Sequence, residues 1–402
     1  MKRDYQLNTI IIKAFLPSGS SLTALLVCWL FILSQPNVAF SKNGTDSVAT
    51  NHRHLDVVFC LDLSGSTNGL IDNVRAQVWS IVNMSATAQD GCELRLGLVG
   101  FSRPSFGAQN NYVKTICKLT NDFNHFEAEL WKIKPQIEKG DQFVSTALEV
   151  AGLEMNWSKS PDAVKILFLV GNGRTDTGSP DYRSVVQSIQ DNGIELIPVY
   201  CLRDRQSNEI MGWEQIGRVV NRPLEKTRVM KHEPLIKPLK DEGKFAQKNR
   251  ELNNLLFGFS KETRAAVSEV ISCDNKAMLL DPVSYENRLV YRISDHCTRY
   301  LETFDLGSSS IQNPAELIKY DFALLDDSLQ HWSVNRLYDK IEYSRKKKME
   351  ILGYLKGQLP PERQLYINSI VAKSDFETSN ILERIVLRHV YLICTSKGLK
   401  FR

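Results

Sequence analysis

The chain has 402 residues, of which 43% are hydrophobic and 24% are charged, so it is long enough for two or three domains with apolar cores. This composition excludes an intrinsically disordered chain, a collagen-like fibre and a small disulfide-stabilised scaffold. With 50 Lys and Arg against 46 Asp and Glu, the net charge of +4 is too small to predict nucleic-acid binding.

The first forty residues predict export. Three basic residues precede an unbroken apolar run from Leu22 to Leu33, which is too short to span a bilayer comfortably. Ala39-Phe40-Ser41 then places small residues where a signal peptidase cleaves. We therefore expect residues 1–41 to be a signal peptide and the mature chain to be periplasmic, secreted or at the cell surface. An uncleaved membrane anchor is the alternative.

From Leu55 to Tyr200, short apolar runs alternate with amphipathic stretches, which is the pattern of strands covered by helices on both faces. The strand candidates are Leu55–Leu61, Leu94–Phe101, Val113–Leu119, Lys165–Val170 and Glu195–Tyr200. The helix candidates are Leu70–Ser85, Asn121–Ile133, Val144–Asn156, Asp181–Asn192 and Trp213–Val220. The alternation predicts an α/β domain with a doubly wound, mainly parallel sheet, to which Arg228–Met230 would add an edge strand.

Beyond about Glu233 the strand pattern gives way to a helical pattern rich in Glu, Lys and Leu. We predict an α/β domain over residues 54–232, a mostly helical region over 233–372 and a C-terminal helical extension over 373–402. The longest helix candidate, Tyr338–Leu359, carries the basic run Arg345-Lys346-Lys347-Lys348. Such a run is more typical of a solvated helix face than of a membrane or nucleic-acid site.

Seven cysteines follow the N-terminal segment, and an odd number leaves at least one thiol unpaired in an exported protein. Cys92 with Cys117, and Cys273 with Cys297, are candidate disulfide pairs, but the sequence leaves the connectivity open. No Cys-x-x-Cys spacing occurs, so the cysteines do not indicate a zinc site.

The sharpest functional signal is Asp62-Leu63-Ser64-Gly65-Ser66, directly after the first predicted strand. In an open α/β sheet, ligands bind beyond the carboxyl ends of the strands. One carboxylate and two hydroxyls at alternate positions offer the hard oxygen ligands that Mg²⁺ prefers. Taken alone, the pattern is weak and is better explained by a helix cap at Ser64 or Ser66.

The stretch from Asp56 to Cys201 resembles a von Willebrand factor type A domain. Three segments carry the resemblance: Asp-x-Ser-x-Ser after a strand, Gly140-Asp141 before a helix that contains Ala147-Leu148, and Gly171-Asn172-Gly173 after the fourth core strand. It implies a metal-ion-dependent adhesion site, in which Mg²⁺, or else Mn²⁺ or Ca²⁺, bridges the domain to an Asp or Glu of a partner protein. More loosely, the chain resembles bacterial exported proteins that join this domain to a helical C-terminal region.

The resemblance assigns Asp62, Ser64 and Ser66 to the first loop of that site. Asp141 stands where the family usually has threonine, and Asn172 stands where it usually has aspartate, so Asn172 offers a carbonyl oxygen without a charge. The predicted metal site is therefore Asp62, Ser64, Ser66 and Asp141, with Asn172 in the outer shell.

Sequence patterns of common enzymes are missing. The chain has no phosphate-binding loop, no Gly-x-Ser-x-Gly elbow and no His-Glu-x-x-His, and Gly171-x-Gly173 lacks the third glycine of a dinucleotide site. We predict that the protein is not an enzyme but a metal-dependent protein-binding module. The alternatives are a metal-free scaffold whose helical tail makes the contacts, and a hydrolase that uses the same ion to activate water.

Overall fold

The computed structural model describes residues 53–89, 91–135, 141–177, 181–202, 208–229, 242–359 and 381–401. The predicted signal peptide lies outside these residues, as do Gly140, residues 230–241 and residues 360–380. All described residues belong to one compact unit, Thr50–Arg402.

The described strands form a single sheet. They are β1 (Arg53–Asp62), β2 (Cys92–Phe101), β3 (Lys114–Thr120), β4 (Val164–Gly171), β5 (Ile194–Leu202) and β6 (Glu225–Arg228). Their order across the sheet is β3-β2-β1-β4-β5-β6, and all neighbours are parallel except β3, which runs antiparallel to β2. The chain leaves β1 toward one edge and later continues from β4 toward the other, so the topological switch point lies between these two strands.

Side chains of the central strand β1 alternate between two apolar layers. Val57 and Phe59 pack into the layer on the first face, whereas Val58 and Cys60 pack into the layer on the second face. All four side chains are fully buried. A strand covered on both faces reads as a continuous apolar run, which is why the sequence pattern located β1 so clearly.

Helices cover both faces of the sheet. The first face carries α1 (Leu70–Ser85) and α2 (Phe123–Lys132), and the second carries α3 (Val144–Leu153), α4 (Tyr182–Asp191) and α5 (Ile210–Val219). Asp122 and Asp181 begin α2 and α4, each accepting a hydrogen bond from a backbone N–H of the first turn. The predicted doubly wound, mainly parallel α/β architecture is confirmed.

The described part of the chain after residue 241 is helical, as predicted. Its α-helices are α6 (Glu242–Asn253), α7 (Lys261–Leu280), α8 (Pro282–Arg292), α9 (Asp295–Glu302), α10 (Asp327–Gln330), α11 (Val334–Gln358) and α12 (Leu382–Ser396). Short 3₁₀ turns between α9 and α10 are Leu306–Ser308, Pro314–Lys319 and Phe322–Leu324. Within the described ranges, no helix combines the length and apolar character needed to cross a membrane.

The helical region packs onto the first face of the sheet domain and also has apolar clusters of its own. Val270 of α7 and Tyr291 of α8 join the layer that contains Trp79 of α1. A separate cluster includes Leu289 of α8 and Leu355 of α11. The helical region is therefore stabilised both by its own core and by the α/β domain.

A cluster of buried charges lies at this junction, and we call Glu127, Asp274, Arg288 and Arg292 the junction cluster. Asp274 accepts hydrogen bonds from Arg288 Nε at 2.7 Å and Arg292 Nε at 3.2 Å. The Arg288 guanidinium lies 4.3 Å from the ring centroid of Trp79, and its Nη1 is 3.8 Å from Glu127 Oε2. The cluster joins α7 and α8 of the helical region to α1 and α2 of the sheet domain.

Two residues of the basic run in α11 point inward, which the interpretation as a solvated face did not anticipate. Lys348 is buried and pairs with the buried Asp305. Arg345 donates hydrogen bonds to the carbonyl oxygens of Ser309 and Ile311, each at 2.8 Å. Half of the run therefore stabilises the fold.

Helix α12 packs beside α1 on the first face of the sheet. Its side chains Val386 and Val390 are fully buried in the same layer as Phe168 of β4. At the edge of the sheet, His389 Nε2 lies 2.8 Å from Glu225 Oε1. The C-terminal extension is thus part of the sheet domain's core.

Neither candidate disulfide is formed: Cys92, Cys117, Cys273 and Cys297 are all thiols. The thiol of Cys273 donates to the carbonyl oxygen of Asn124, and that of Cys297 accepts from Arg292 Nη1. Burial raises the pKa of the Cys92 and Cys117 thiols to about 12. These thiols are therefore protonated at neutral pH and weakly reactive.

Candidate functional site

The predicted first and third loops meet at the topological switch point of the sheet. Asp62 is the last residue of β1, and Asn172 directly follows β4. Because β1 and β4 are parallel neighbours, paired as Leu61 with Val170, their carboxyl ends lie side by side. The sheet thus brings Asp62 and Asn172 together although 109 residues separate them in the chain.

Asp62 and Thr67 hold the first loop in shape. The backbone N–H of Ser64 donates to Asp62 Oδ1 at 2.9 Å. The Thr67 hydroxyl lies 2.7 Å from the carbonyl oxygen of Asp62 and 2.8 Å from that of Ser64, and donates to them. Ser64 precedes a short 3₁₀ helix, Gly65–Thr67, but its side chain makes no capping hydrogen bond. The Ser64 side chain therefore does not cap a helix, which was the alternative explanation of the pattern.

The hydroxyls of the first loop instead form a chain that leads to the third loop. Ser64 Oγ and Ser66 Oγ lie 2.9 Å apart, and Ser66 Oγ donates to Asn172 Oδ1 at 3.0 Å. Asn172 Nδ2 in turn donates to the carbonyl oxygen of Cys201 at 3.4 Å, which directs its Oδ1 toward Ser66. Four of the five predicted site residues, Asp62, Ser64, Ser66 and Asn172, therefore lie together, and we call them the switch-point cluster.

Asp62 is completely buried, and burial raises the pKa of its carboxyl group. Hydrogen bonds from the Ser64 N–H and hydroxyl and from the Asn172 N–H, the last at 3.3 Å, oppose this shift without cancelling it. A single carboxylate in a site of low polarity lacks charge compensation. A cation bound to Asp62 would provide it.

Ser102 is a member of the site that the sequence interpretation missed. It is buried, and its φ of 67° is unusual for a residue other than glycine. Its hydroxyl lowers the pKa of Asp62, yet it makes no hydrogen bond of normal geometry within the described residues. Its position directly after β2, whose carboxyl end also lies at this edge, was the signal that could have identified it.

The second loop reaches the cluster through Gln142 and not through Asp141. Gln142 Nε2 donates to Asp62 Oδ2 at 3.2 Å, and Gln142 Oε1 accepts from the backbone N–H of Arg174 at 3.0 Å. Asp141 is exposed, and no hydrogen bond or ion pair within the described residues joins it to the cluster. The predicted role of Asp141 stays a prediction.

The two glycines of Gly171-Asn172-Gly173 make room for side chains of the site. A Cβ atom at Gly171 would lie 2.5 Å from the Cβ of Asp62. A Cβ atom at Gly173 would lie 1.5 Å from Gln142 Oε1, and the φ of +91° at Gly173 is itself strained for other residues. This spacing therefore reflects close approach of Asp62 and Gln142, not a dinucleotide.

The oxygen atoms of the switch-point cluster fit a hard divalent cation. They comprise one carboxylate, two hydroxyls and one amide carbonyl, which is the chemistry that suits Mg²⁺, Mn²⁺ or Ca²⁺. The described residues contain no group of three or more His, Cys, Asp and Glu side chains suited to a metal. An ion bound at the cluster would therefore depend on neutral oxygens and would be held with modest affinity.

A polar groove of about 620 Å³ opens beside the third loop. Arg174, Asp176, Arg183 and Glu209 give it charges of both signs, and Thr175 and Gly212 lie at its wall. Trp213 Nε1 donates to the carbonyl oxygen of Gly173 at 2.9 Å, which anchors the third loop to α5. The groove and the switch-point cluster thus share this loop.

Residues 56–221 match the family model described as von Willebrand factor type A domain. No curated protein matches the chain in sequence. Among solved structures, the chain is similar to the pilus adhesin SpaC from Lactobacillus rhamnosus GG, with 16% identity, 44% of this chain and 29% of that chain covered, and a TM-score of 0.33.

Two further solved structures are similar over the same share of this chain, 44%. Proximal thread matrix protein 1 from the mussel byssus, with a zinc-occupied MIDAS motif, is 20% identical with 44% of that chain covered and a TM-score of 0.32. An aerotolerance-related membrane protein from Bacteroides fragilis is 14% identical with 91% of that chain covered and a TM-score of 0.32. The chain spans less than half the length of the adhesin and of the byssus protein.

Proposed function

Because residues 56–221 are a von Willebrand factor type A domain, we propose that the chain is an exported protein-binding module of the adhesion or scaffold type. It holds a divalent cation at the switch-point cluster and through it engages an Asp or Glu side chain of a partner protein. The observation that carries this proposal is the convergence of Asp62, Ser64, Ser66 and Asn172 at the carboxyl ends of β1 and β4.

The charge of the cluster favours an acidic partner. A divalent cation bound there would supply two positive charges, of which Asp62 neutralises one. The hydroxyls of Ser64 and Ser66 and the carbonyl of Asn172 add oxygens without charge. The remaining positive charge attracts a carboxylate from outside, which completes the coordination.

A metal-free scaffold is the second candidate, and one observation favours it. The polar groups of the cluster already satisfy one another, since Ser64, Ser66 and Asn172 form a hydrogen-bonded chain and Gln142 donates to Asp62. A loop closed in this way holds its shape without an ion. In that case the helical region would make the contacts with the partner.

Melting temperature and co-purification separate the two candidates. Binding of Mg²⁺ to the native state alone adds about 2.7 kcal/mol at a concentration a hundred times its Kd, so Mg²⁺ should raise the melting temperature and EDTA should reverse it. Asp62→Ala should abolish the rise. Asp162→Ala is the matched control, because Asp162 is exposed in the turn before β4, at the opposite end of the sheet.

Partner binding is tested with the same three proteins as baits for the exported fraction. A partner retained by the wild type and by Asp162→Ala in Mg²⁺, but lost in EDTA and with Asp62→Ala, supports the metal-dependent module. A partner that is still retained in EDTA and by Asp62→Ala contradicts the metal-dependent module and favours the metal-free scaffold.

Export is proposed on the basic residues, the apolar run and the Ala39-Phe40-Ser41 site of the N-terminal segment. Mass spectrometry of the protein in its native host should find a mature chain that lacks residues 1–41. An intact Met1 in the membrane fraction would instead establish an uncleaved anchor.

A further inference from the structure

We propose that Gln142, and not Asp141, is the second-loop ligand of the switch-point cluster. We further propose that its side-chain amide flips when a divalent cation binds, so that the oxygen and nitrogen exchange positions; we call this flip the turnover of the amide. The inference rests on the proposed function, because it assigns a role at the same site. It also implies that Asp62 is the one carboxylate that this chain offers to the ion, with its other ligands from this chain neutral.

The contacts of Gln142 place it in the site. Its Nε2 lies 3.2 Å from Asp62 Oδ2, whereas Asp141, one residue earlier, is exposed. With Gln142 directed at Asp62, Asp141 is directed toward solvent, so a substitution at each position should have a different effect on metal binding.

The third loop is shaped around the Gln142 side chain. Gly173 has a φ of +91°, and any Cβ there would overlap Gln142 Oε1 at 1.5 Å. The Arg174 N–H, the next donor along the chain, is bonded to the same oxygen. Two consecutive residues of the third loop therefore accommodate this one amide, which is more than an incidental contact of a surface glutamine requires.

The present orientation of the amide suits a site without a cation. Its N–H donor faces the Asp62 carboxylate, and its oxygen faces the Arg174 N–H. A cation on Asp62 would be repelled by the N–H group and attracted by the oxygen. Because an amide is planar and nearly symmetric, turning it over exchanges the two atoms with little change in shape.

The turned amide has a geometry suited to shared coordination. Its oxygen would take the place of Nε2, 3.2 Å from Asp62 Oδ2. Two oxygens bound to neighbouring positions of one Mg²⁺ lie about 3 Å apart, given metal–oxygen distances of about 2.1 Å. After the flip, Nε2 would face the Arg174 N–H across about 3.0 Å as a second donor, so the third loop must move away at this point and the N–H must bond to water instead.

The turnover also links the ion to the groove. The Arg174 backbone belongs to the loop that Trp213 anchors through the carbonyl oxygen of Gly173. Arg174 and Asp176 of this loop line the groove and pair with each other at 2.9 Å. Release of the Arg174 N–H therefore changes the hydrogen bonding of the groove's wall when the ion binds.

Calorimetric titration of the mature full chain with MnCl₂ tests the assignment. Gln142→Ala should weaken Mn²⁺ binding by about tenfold or more, on the scale observed when residues that support a metal site are lost. Gln142→Glu should tighten it, because an anionic oxygen replaces the amide. Asp141→Ala should change the Kd by less than about twofold, because an exposed charge is screened by solvent.

The outcomes separate this inference from the proposed function. If Asp141→Ala abolishes Mn²⁺ binding and Gln142→Ala and Gln142→Glu leave it unchanged, Asp141 is the ligand and the inference is wrong, while the metal-dependent module survives. If the wild type itself shows no heat, both are wrong. The metal-free melting temperature of each variant, compared with the wild type, ensures that a lost heat reflects the site and not an unfolded protein.

Turnover of the amide has its own readout. In ¹⁵N-labelled protein, Mg²⁺ should move the Arg174 amide proton resonance upfield, because that proton exchanges a protein acceptor for water. The shift should be absent in Gln142→Ala. An Arg174 resonance that Mg²⁺ leaves unmoved in a wild type that binds the ion would show that the amide keeps its orientation.

Discussion

The junction cluster should provide much of the stability that joins the helical region to the α/β domain, and Asp274→Asn is the substitution that tests this. Asp274 is fully buried and accepts hydrogen bonds from four side chains: Asn249, Asn253, Arg288 and Arg292. Asparagine has the same size, so the change removes one negative charge without opening a cavity. It leaves two fully buried guanidinium groups, and Glu127 is the remaining carboxylate within 4.0 Å of Arg288 among the described ion pairs.

The cost follows from the burial of the pair. Removing one partner of a buried ion pair typically destabilises a protein by about 3–5 kcal/mol, because the other charge remains in a medium of low polarity. At about 2 °C per kcal/mol for a domain of this size, the melting temperature should fall by about 6–10 °C. Glu127 cannot take over, because its Oε2 lies 3.8 Å from Arg288 Nη1, beyond hydrogen-bonding distance.

The assay is differential scanning calorimetry of the wild type, Asp274→Asn and Asp295→Asn. Asp295 belongs to the same helical region, but its side chain is 86% exposed and faces Lys356 at 3.6 Å, so Asp295→Asn should leave the melting temperature unchanged. If Asp274→Asn melts within about 1 °C of the Asp295→Asn control, apolar packing alone joins the two parts and the reasoning fails.

The pH dependence gives a second check of the same argument. Burial raises the pKa of Asp274, but Arg292, Arg288 and the two asparagine amides outweigh it, so the pKa lies below its ordinary value of 3.8. A group with a lowered folded-state pKa stabilises the fold above its unfolded pKa and loses that contribution as the pH falls through the folded value. The difference in stability between the wild type and Asp274→Asn should therefore be full above pH 3.8 and shrink below it.

Three further predictions concern the helical region and the C-terminus. Gly353→Ala should raise stability by about 0.5–1 kcal/mol in urea titrations, because Gly353 lies within α11 and an added Cβ meets no atom within 4 Å. In the basic run, Lys348→Met should cost about 3 kcal/mol or more by leaving Asp305 buried without its cation, whereas Lys346→Met on the exposed side should be neutral, as thermal melts of both would show. Deletion of residues 381–402 should abolish cooperative unfolding in calorimetry, because α12 buries seven apolar side chains, worth of the order of 10 kcal/mol together.

The apolar pattern located the inner strands and several helices because burial on both faces leaves a strong signal in the sequence. The predicted helix Leu70–Ser85 has the observed bounds, and the fourth core strand differs from the prediction by one residue at each end. The edge strand was placed too late, since β6 is Glu225–Arg228 and not Arg228–Met230. Only Thr227 of this strand is buried, so its sequence has no apolar run to reveal it.

The convergence of the first and third loops could also be predicted, because it follows from the strand order and from the rule that ligands bind at carboxyl ends. The second-loop side chain that contacts Asp62 could not be predicted. The resemblance assigned Asp141 to the second loop, and no feature of the sequence indicates that the side chain of the next residue, Gln142, contacts Asp62. In the structure the Gln142 amide contacts Asp62. The sequence feature that accompanies this contact is Gly173, which leaves space for the amide.

The C-terminal helix shows what an amphipathic pattern does not reveal. The pattern from Ile381 to Leu392 predicted one helix with an apolar face, and amphipathic periodicity reveals that a face is covered without indicating what covers it. In the structure that face packs on the sheet beside α1. The segment after the helix pairs with the turn that follows α1, where the Gln89 N–H donates to the carbonyl oxygen of Lys400 at 2.8 Å. The apolar layer on the first face of the sheet therefore includes residues that lie about 160 positions beyond the end of the matched family model. A truncated chain ending at residue 221 would leave this layer exposed to water, so studies of the cluster at Asp62 require the full chain.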